Sequence, residues 1–320
     1  MTPAYDWAPA VLIYLPIAEM SVNLFFLVGI GGAIGFLSGL FGVGGGFLLT
    51  PLLIFSGVPA PVAVASVTGQ VVAASTSGAL SYWRRGGIDL TLALFLVTGG
   101  VFGAGVGVWI FDLLRSFGQL DLAISFGYLV FLGSIGSLML IEAVRSLIRS
   151  RRTGPPPRRM PGQHNWAHGL PLRFRFKRSK LYISVIPVIG IGFLIGIVGS
   201  LLGIGGGFIL VPALVYLLRI PGSVVIGTSL LHVLAVMAAT CVLHAYQSQS
   251  VDILLAFSLM VGSVAGAQFG ASAGQYLRGD QLRFLLALIV LGVAIRFALS
   301  LLLAPADPFS TSVLGFGEGL

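Results

Sequence analysis

The sequence predicts an all-α polytopic membrane protein built from two homologous, inverted repeats, each opening on a helix broken by glycine. Three observations carry that expectation. The chain is 57% hydrophobic and 9% charged, with a mean hydropathy of +1.02, so it has too few polar side chains to cover a globular surface. Eight stretches are apolar for long enough to cross roughly 30 Å of hydrocarbon. The run Leu-Phe-Gly-Val-Gly-Gly-Gly-Phe over 40–47 returns as Leu-Leu-Gly-Ile-Gly-Gly-Gly-Phe over 201–208, and each copy is followed by a proline, Pro51 and Pro212.

The apolar segments run near Leu24 to Phe55, Val62 to Tyr82, Leu90 to Phe111, Leu122 to Ala143, Tyr182 to Leu218, Val224 to Ala245, Ile253 to Tyr276 and Leu282 to Ala304. Counting the glycine-broken first and fifth segments as two pieces each gives about ten helices. The chain then divides into an extracytoplasmic N-terminal extension (1–23), a first transmembrane repeat (24–147), a basic cytoplasmic connector (148–181), a second transmembrane repeat (182–304) and an extracytoplasmic tail (305–320). A signal peptide is not expected, because the first residues carry no Lys or Arg and include Asp6.

The repeat extends beyond the glycine runs. Ser66 aligns with Ser229, Asp89 with Asp252, and Gly99–Ala104 with Gly262–Ala267 at one constant offset, the mark of a duplicated unit. Gly99, Gly103 and Gly107, like Gly262, Gly266 and Gly270, form small-residue faces that let helix backbones approach closely.

Charge sets the orientation. The formal net charge is +8, yet eleven of the eighteen basic residues lie between Arg145 and Lys180, beside Pro155, Pro156 and Pro157. That clustering argues against nucleic-acid binding and for a solvated cytoplasmic loop in reach of anionic lipid head groups. If every segment crosses once, 13 basic residues are cytoplasmic and 5 are not; if each glycine-broken segment enters and returns, Arg219, Arg278 and Arg283 join them and the division becomes 16 against 2. The second count favours repeats of opposite orientation, with Arg115 and Arg296 on the other side.

Glycine breaks inside a bilayer leave backbone groups without partners unless the region lines a cavity or binds something. A helix restarting at Phe47 or Phe208 presents free N–H groups and the positive end of its dipole, which favours an anion. The candidate substrate-binding residues are therefore Gly44, Gly45 and Gly46 with Gly205, Gly206 and Gly207, joined by Ser66, Thr68, Gln70, Thr228, Ser229 and His232, hydrogen-bonding residues early in the helix after each break. Each hydroxyl taken alone is more often satisfied on its own helix. His232 is a candidate for coupling proton movement, with a hydrogen-bonded structural imidazole as the alternative. Arg296 reads as snorkelling, and Gln268 as a possible cavity residue. A nucleotide-binding loop is excluded, since no Lys-Ser or Lys-Thr follows either run. No catalytic residues, metal ligands or cofactor site are expected: the acidic residues fall at segment ends, the four histidines are scattered and the single cysteine, Cys241, has no partner.

The stretch 35–47 followed by Pro51, and its copy 196–208 followed by Pro212, resemble the signature of the sulfite exporter TauE/SafE family of anion permeases. The likeness spans about Leu24 to Ala304. It implies a multi-pass permease in the cytoplasmic (inner) membrane of a prokaryote, moving small sulfur-containing anions such as sulfite or sulfoacetate-like organosulfonates, as an exporter. Three alternatives stay open from the residues: a passive anion channel, a carrier for another small organic anion, and a non-transporting scaffold that uses the basic connector.

Overall fold

Apolar runs without internal charge become helices because the hydrocarbon offers their N–H and C=O groups no other partner. The computed structural model describes residues 11–41, 46–84, 86–150, 173–176, 181–217, 222–274 and 279–302. Among these lie ten α-helices: α1 (Leu24–Phe41), α2 (Gly46–Phe55), α3 (Ala60–Arg84), α4 (Leu90–Ser116), α5 (Leu120–Ser150), α6 (Val185–Leu202), α7 (Gly207–Pro212), α8 (Gly222–Leu243), α9 (Ile253–Gly274) and α10 (Gly279–Leu302). Seven helical stretches, in α3, α4, α5, α6, α8, α9 and α10, are long and apolar enough to cross a membrane. Each glycine-broken segment is two pieces, α1 with α2 and α6 with α7. Pro212, which has no N–H to give the preceding turn, marks where α7 widens into a π-helical turn over Ala213–Leu217.

Two antiparallel hairpins add to the all-α expectation. β1 (Leu12–Leu15) pairs with β2 (Met20–Asn23), and β3 (Arg173–Phe176) with β4 (Leu181–Ser184). Each leads directly into the first helix of its half, α1 or α6, so the duplicated unit begins upstream of the helices. The first hairpin, in the expected N-terminal extension, is docked: Leu15 is buried, and the Ile17 N–H donates to Asp252 Oδ2 at 3.0 Å. On the second, the Phe174 ring meets Phe95 of α4 edge-on at 5.6 Å. Strands of four residues are too short for their alternation to stand out from the apolar helices that follow. The rest of the basic connector from 151 to 180 lies outside the described residues.

The halves interleave. α1 packs along α9, its counterpart pair α6 along α4, α3 against α8, and α5 against α10. The main core accordingly draws on both halves, from Leu49, Val67 and Ile124 to Val233, Leu259 and Val290. Glycine makes the two closest crossings. A Cβ on Gly35 would run into the Ser263 carbonyl and one on Gly266 into the Gly32 carbonyl; Gly103 and Gly196 stand likewise against Phe193 and Gly100. The small-residue faces are thus helix-packing surfaces.

Aspartates cap both α4 and α9, braced from the opposite half. Asp89 Oδ1 accepts from Leu92 N at 3.3 Å, while Asp89 N donates to Thr228 Oγ1 of α8 at 3.1 Å. Asp252 Oδ1 accepts from Leu255 N at 3.1 Å, and Asp252 N donates to Ser66 Oγ of α3 at 2.9 Å. The two braces are equivalent, so Ser66 corresponds to Thr228. This corrects the alignment of Ser66 with Ser229 by one residue: the constant offset of α4 and α9 does not hold for α3 and α8. Elsewhere, Arg296 is exposed with its guanidinium 5.3 Å from the Phe55 ring centre, a cation–π contact, and Gln268 faces outward.

Candidate functional site

Left-handed backbone ends α6 and begins α7. Gly203 has φ 67°, Gly205 φ 76° and Gly206 φ 70°, a conformation costly for any residue with a Cβ. The chain doubles back here: Leu210 and Leu214 after the break share one apolar cluster with Val185 and Val188 from the start of α6. The restarted helix begins with Ile209 N and Leu210 N both donating to Gly206 O, at 3.1 and 2.9 Å, leaving the amides of Gly207 and Phe208 without an acceptor in their own helix.

The two breaks meet. Phe47 and Phe208, the first side chains after each glycine run, stack with ring centres 4.6 Å apart and planes within 6°. A Cβ on Gly46 would lie 2.9 Å from Gly203 O, and one on Gly203 would lie 3.1 Å from Thr50 Oγ1. The Tyr128 hydroxyl of α5 donates to the Leu202 carbonyl, the last of α6. Gly44 and Gly45 fall outside the described residues; Gly46 opens α2, Gly205 and Gly206 lie between α6 and α7, and Gly207 opens α7.

The helices behind the breaks are α3 and α8, and their predicted polar residues separate into two groups. Thr68 donates to Ala65 O at 2.5 Å, Thr228 to Val224 O at 2.7 Å and Ser229 to Ile226 O at 2.9 Å. A hydroxyl has one hydrogen, so these three have committed theirs to their own helix. Ser66, as a brace, accepts from Asp252 N.

Gln70 and His232 differ. Both are fully buried, and among the described residues neither Gln70 Nε2 and Oε1 nor His232 Nδ1 and Nε2 has a hydrogen-bond partner. In the corrected register they are equivalents, four residues after Ser66 and Thr228. Each precedes a valine that reaches the breaks: a Cβ on Gly205 would lie 2.8 Å from Val71 Cγ1 and 3.6 Å from Val233 Cγ1, and Val71 also contacts Gly46. Buried polar atoms left unpaired are expensive, about 1–3 kcal/mol for each group left unsatisfied. Sequence reading did not single out Thr50 and Tyr128, whose only signal was a hydroxyl within an apolar helix.

Interleaved helices around two neighbouring backbone breaks, with buried polar groups that have no hydrogen-bond partner among the described residues, define a multi-pass membrane transporter. The chain belongs to the sulfite exporter TauE/SafE family, whose profile matches residues 27–297. It is 29% identical over 272 residues to "Probable membrane transporter protein YjnA" of Bacillus subtilis (strain 168), covering 85% of this chain and 97% of that one. It is 32% identical over 287 residues to "Probable membrane transporter protein" of Xylella fastidiosa (strain 9a5c), covering 85% and 94%. No solved structure matches.

Proposed function

We propose that this protein is a secondary permease that exports a small sulfur-containing anion, sulfite or a sulfoacetate-like organosulfonate, across the cytoplasmic membrane by alternating access of two inverted repeats. The observation that carries the reading is the pair Gln70 and His232, buried and without hydrogen-bond partners among the described residues, each one residue before a valine, Val71 or Val233, that meets Gly205 at the second break, with the His232 ring against Gly100 of α4. An oxyanion accepts hydrogen bonds and offers none. The Gln70 amide, a ring N–H of His232 and the amides at the start of α7 are donors, and the positive end of the restarted helix favours negative charge. The family supports sulfite, and the matched helix pairs α1 with α9 and α6 with α4 support a rocking motion about the central breaks.

Counterflow tests this. In proteoliposomes preloaded with unlabelled sulfite, labelled sulfite should accumulate transiently and be competed by sulfoacetate more strongly than by acetate. Sulfite that equilibrates without trans-stimulation indicates a channel. No movement and no competition by any sulfur anion removes the substrate assignment.

A further inference from the structure

A second polar cluster, which the anion site does not use, lies where α8 ends. Its helix widens into a π-helical turn over His244–Ser248, a device that often marks function. There the buried His244 places Nε2 3.1 Å from the Ser200 carbonyl and Nδ1 3.4 Å from Ser248 Oγ. Ser248 Oγ lies 2.6 Å from Asp112 Oδ1 of α4, and Asp112 Oδ2 is buried without a partner among the described residues. Arg115 holds the turn from one side, donating to the Ser248 carbonyl at 2.6 Å and to Ser250 Oγ at 3.0 Å.

Counting hydrogens across this chain gives an odd result. A carbonyl only accepts, so Nε2 must carry a proton. Ser248 has one hydroxyl hydrogen to share between Asp112 and Nδ1. With a neutral imidazole and an ionised carboxylate, Nδ1 and Ser248 Oγ face each other lone pair to lone pair whenever that hydrogen points to Asp112. One added proton completes every contact. It can rest on Nδ1, giving Nδ1–H to Ser248 Oγ and Ser248 O–H to Asp112, or on Asp112, giving the same chain in the opposite sense.

We propose that His244, Ser248 and Asp112 form a binding site for one proton, and that this proton is coupled to anion movement. The coupling rests on the permease reading above; the proton site itself does not. Its mechanical link is Ser200, in the last turn of α6 before Gly203, so the contact that fixes the imidazole also holds the arm of the second break. The charged groups facing the cluster are Asp112 and Arg115 from α4. α6 carries none, and Asp252, just beyond Ser250, is occupied by Leu255, Ile17 and its bond to Ser66. In the first half the residue equivalent to His244 is Tyr82, so the chemistry belongs to one repeat alone.

Two readouts test the proposal separately. In nanodiscs, ¹⁵N-histidine NMR assigns His244 by the signals lost in H244Q. Nε2 should remain protonated between about pH 5 and 9 while the Nδ1 signal shifts on acidification, as Nδ1 either gains the proton or accepts the Ser248 hydroxyl, and D112N should move that midpoint. An Nδ1 signal that does not change with pH, or a midpoint indifferent to D112N, overturns the site. In proteoliposomes, the ratio of pH-gradient-driven to equal-pH labelled sulfite uptake should fall on the order of tenfold in D112N, H244Q and S248A. A ratio that stays at the wild-type value overturns the coupling, whereas a wild type that exchanges no sulfite overturns the permease reading and leaves the NMR result to decide the proton site.

Discussion

Replacing Gln70 with methionine should make the ligand-free protein more stable and the transporter inactive. Gln70 is fully buried on α3, and both amide atoms are unpaired among the described residues. Methionine has nearly the same length and volume, so the swap opens no cavity and removes the penalty of a dry amide. Each unsatisfied group costs about 1–3 kcal/mol, so Q70M should gain on that order in equilibrium unfolding by SDS in mixed micelles. The same change deletes an N–H donor from the proposed anion site, where a hydrogen bond to a charged group is worth about 1.5–3 kcal/mol, or roughly ten- to a hundredfold in sulfite counterflow. Opposite signs in the two assays are the expectation. A Q70M protein less stable than wild type would mean that the amide is satisfied in the resting protein, and one with wild-type counterflow would remove Gln70 from the site.

Three further outcomes follow from particular contacts. G206L should abolish counterflow while membrane insertion persists, because a side chain there is strained at φ 70° and would meet Ile195; by fluorescence size exclusion the variant should still be a monodisperse membrane protein. G35L should fail that check, since its Cβ would collide with the Ser263 backbone at the α1–α9 crossing, and recovery of normal yield would contradict the close approach. T228V removes the acceptor for Asp89 N and should cost about 1–3 kcal/mol in the same SDS titration, with the order of competing anions unchanged. A changed order would place Thr228 among the anion-selecting groups.

Much of the architecture was legible in one dimension. Eight apolar segments, two of them broken at Gly42–Gly46 and Gly203–Gly207, anticipate the ten helices. The glycines at 99 and 103 announced close crossings. The hairpins were not legible, because β1 and β3 are only four residues long and lie beside apolar helices. Twelve candidate residues were named from the string, and only hydrogen-bond accounting could sort them: Thr68, Thr228 and Ser229 donate to their own helix, whereas Gln70 and His232 do not.

The sequence alone determined the solvent, the duplication and the places where the backbone must break. Those properties are local, set by transfer free energy and by which residues tolerate φ above zero. Tertiary structure alone decided the rest. Stacking of Phe47 on Phe208 and the approach of Asp112 to His244 through Ser248 both join residues far apart in the chain. A one-residue difference in register between α3 and α8 hid the pairing of Gln70 with His232 from sequence comparison, and only the two capping braces, Ser66 to Asp252 and Thr228 to Asp89, reveal it, because a hydrogen bond fixes which atoms are equivalent where similarity of residue type cannot.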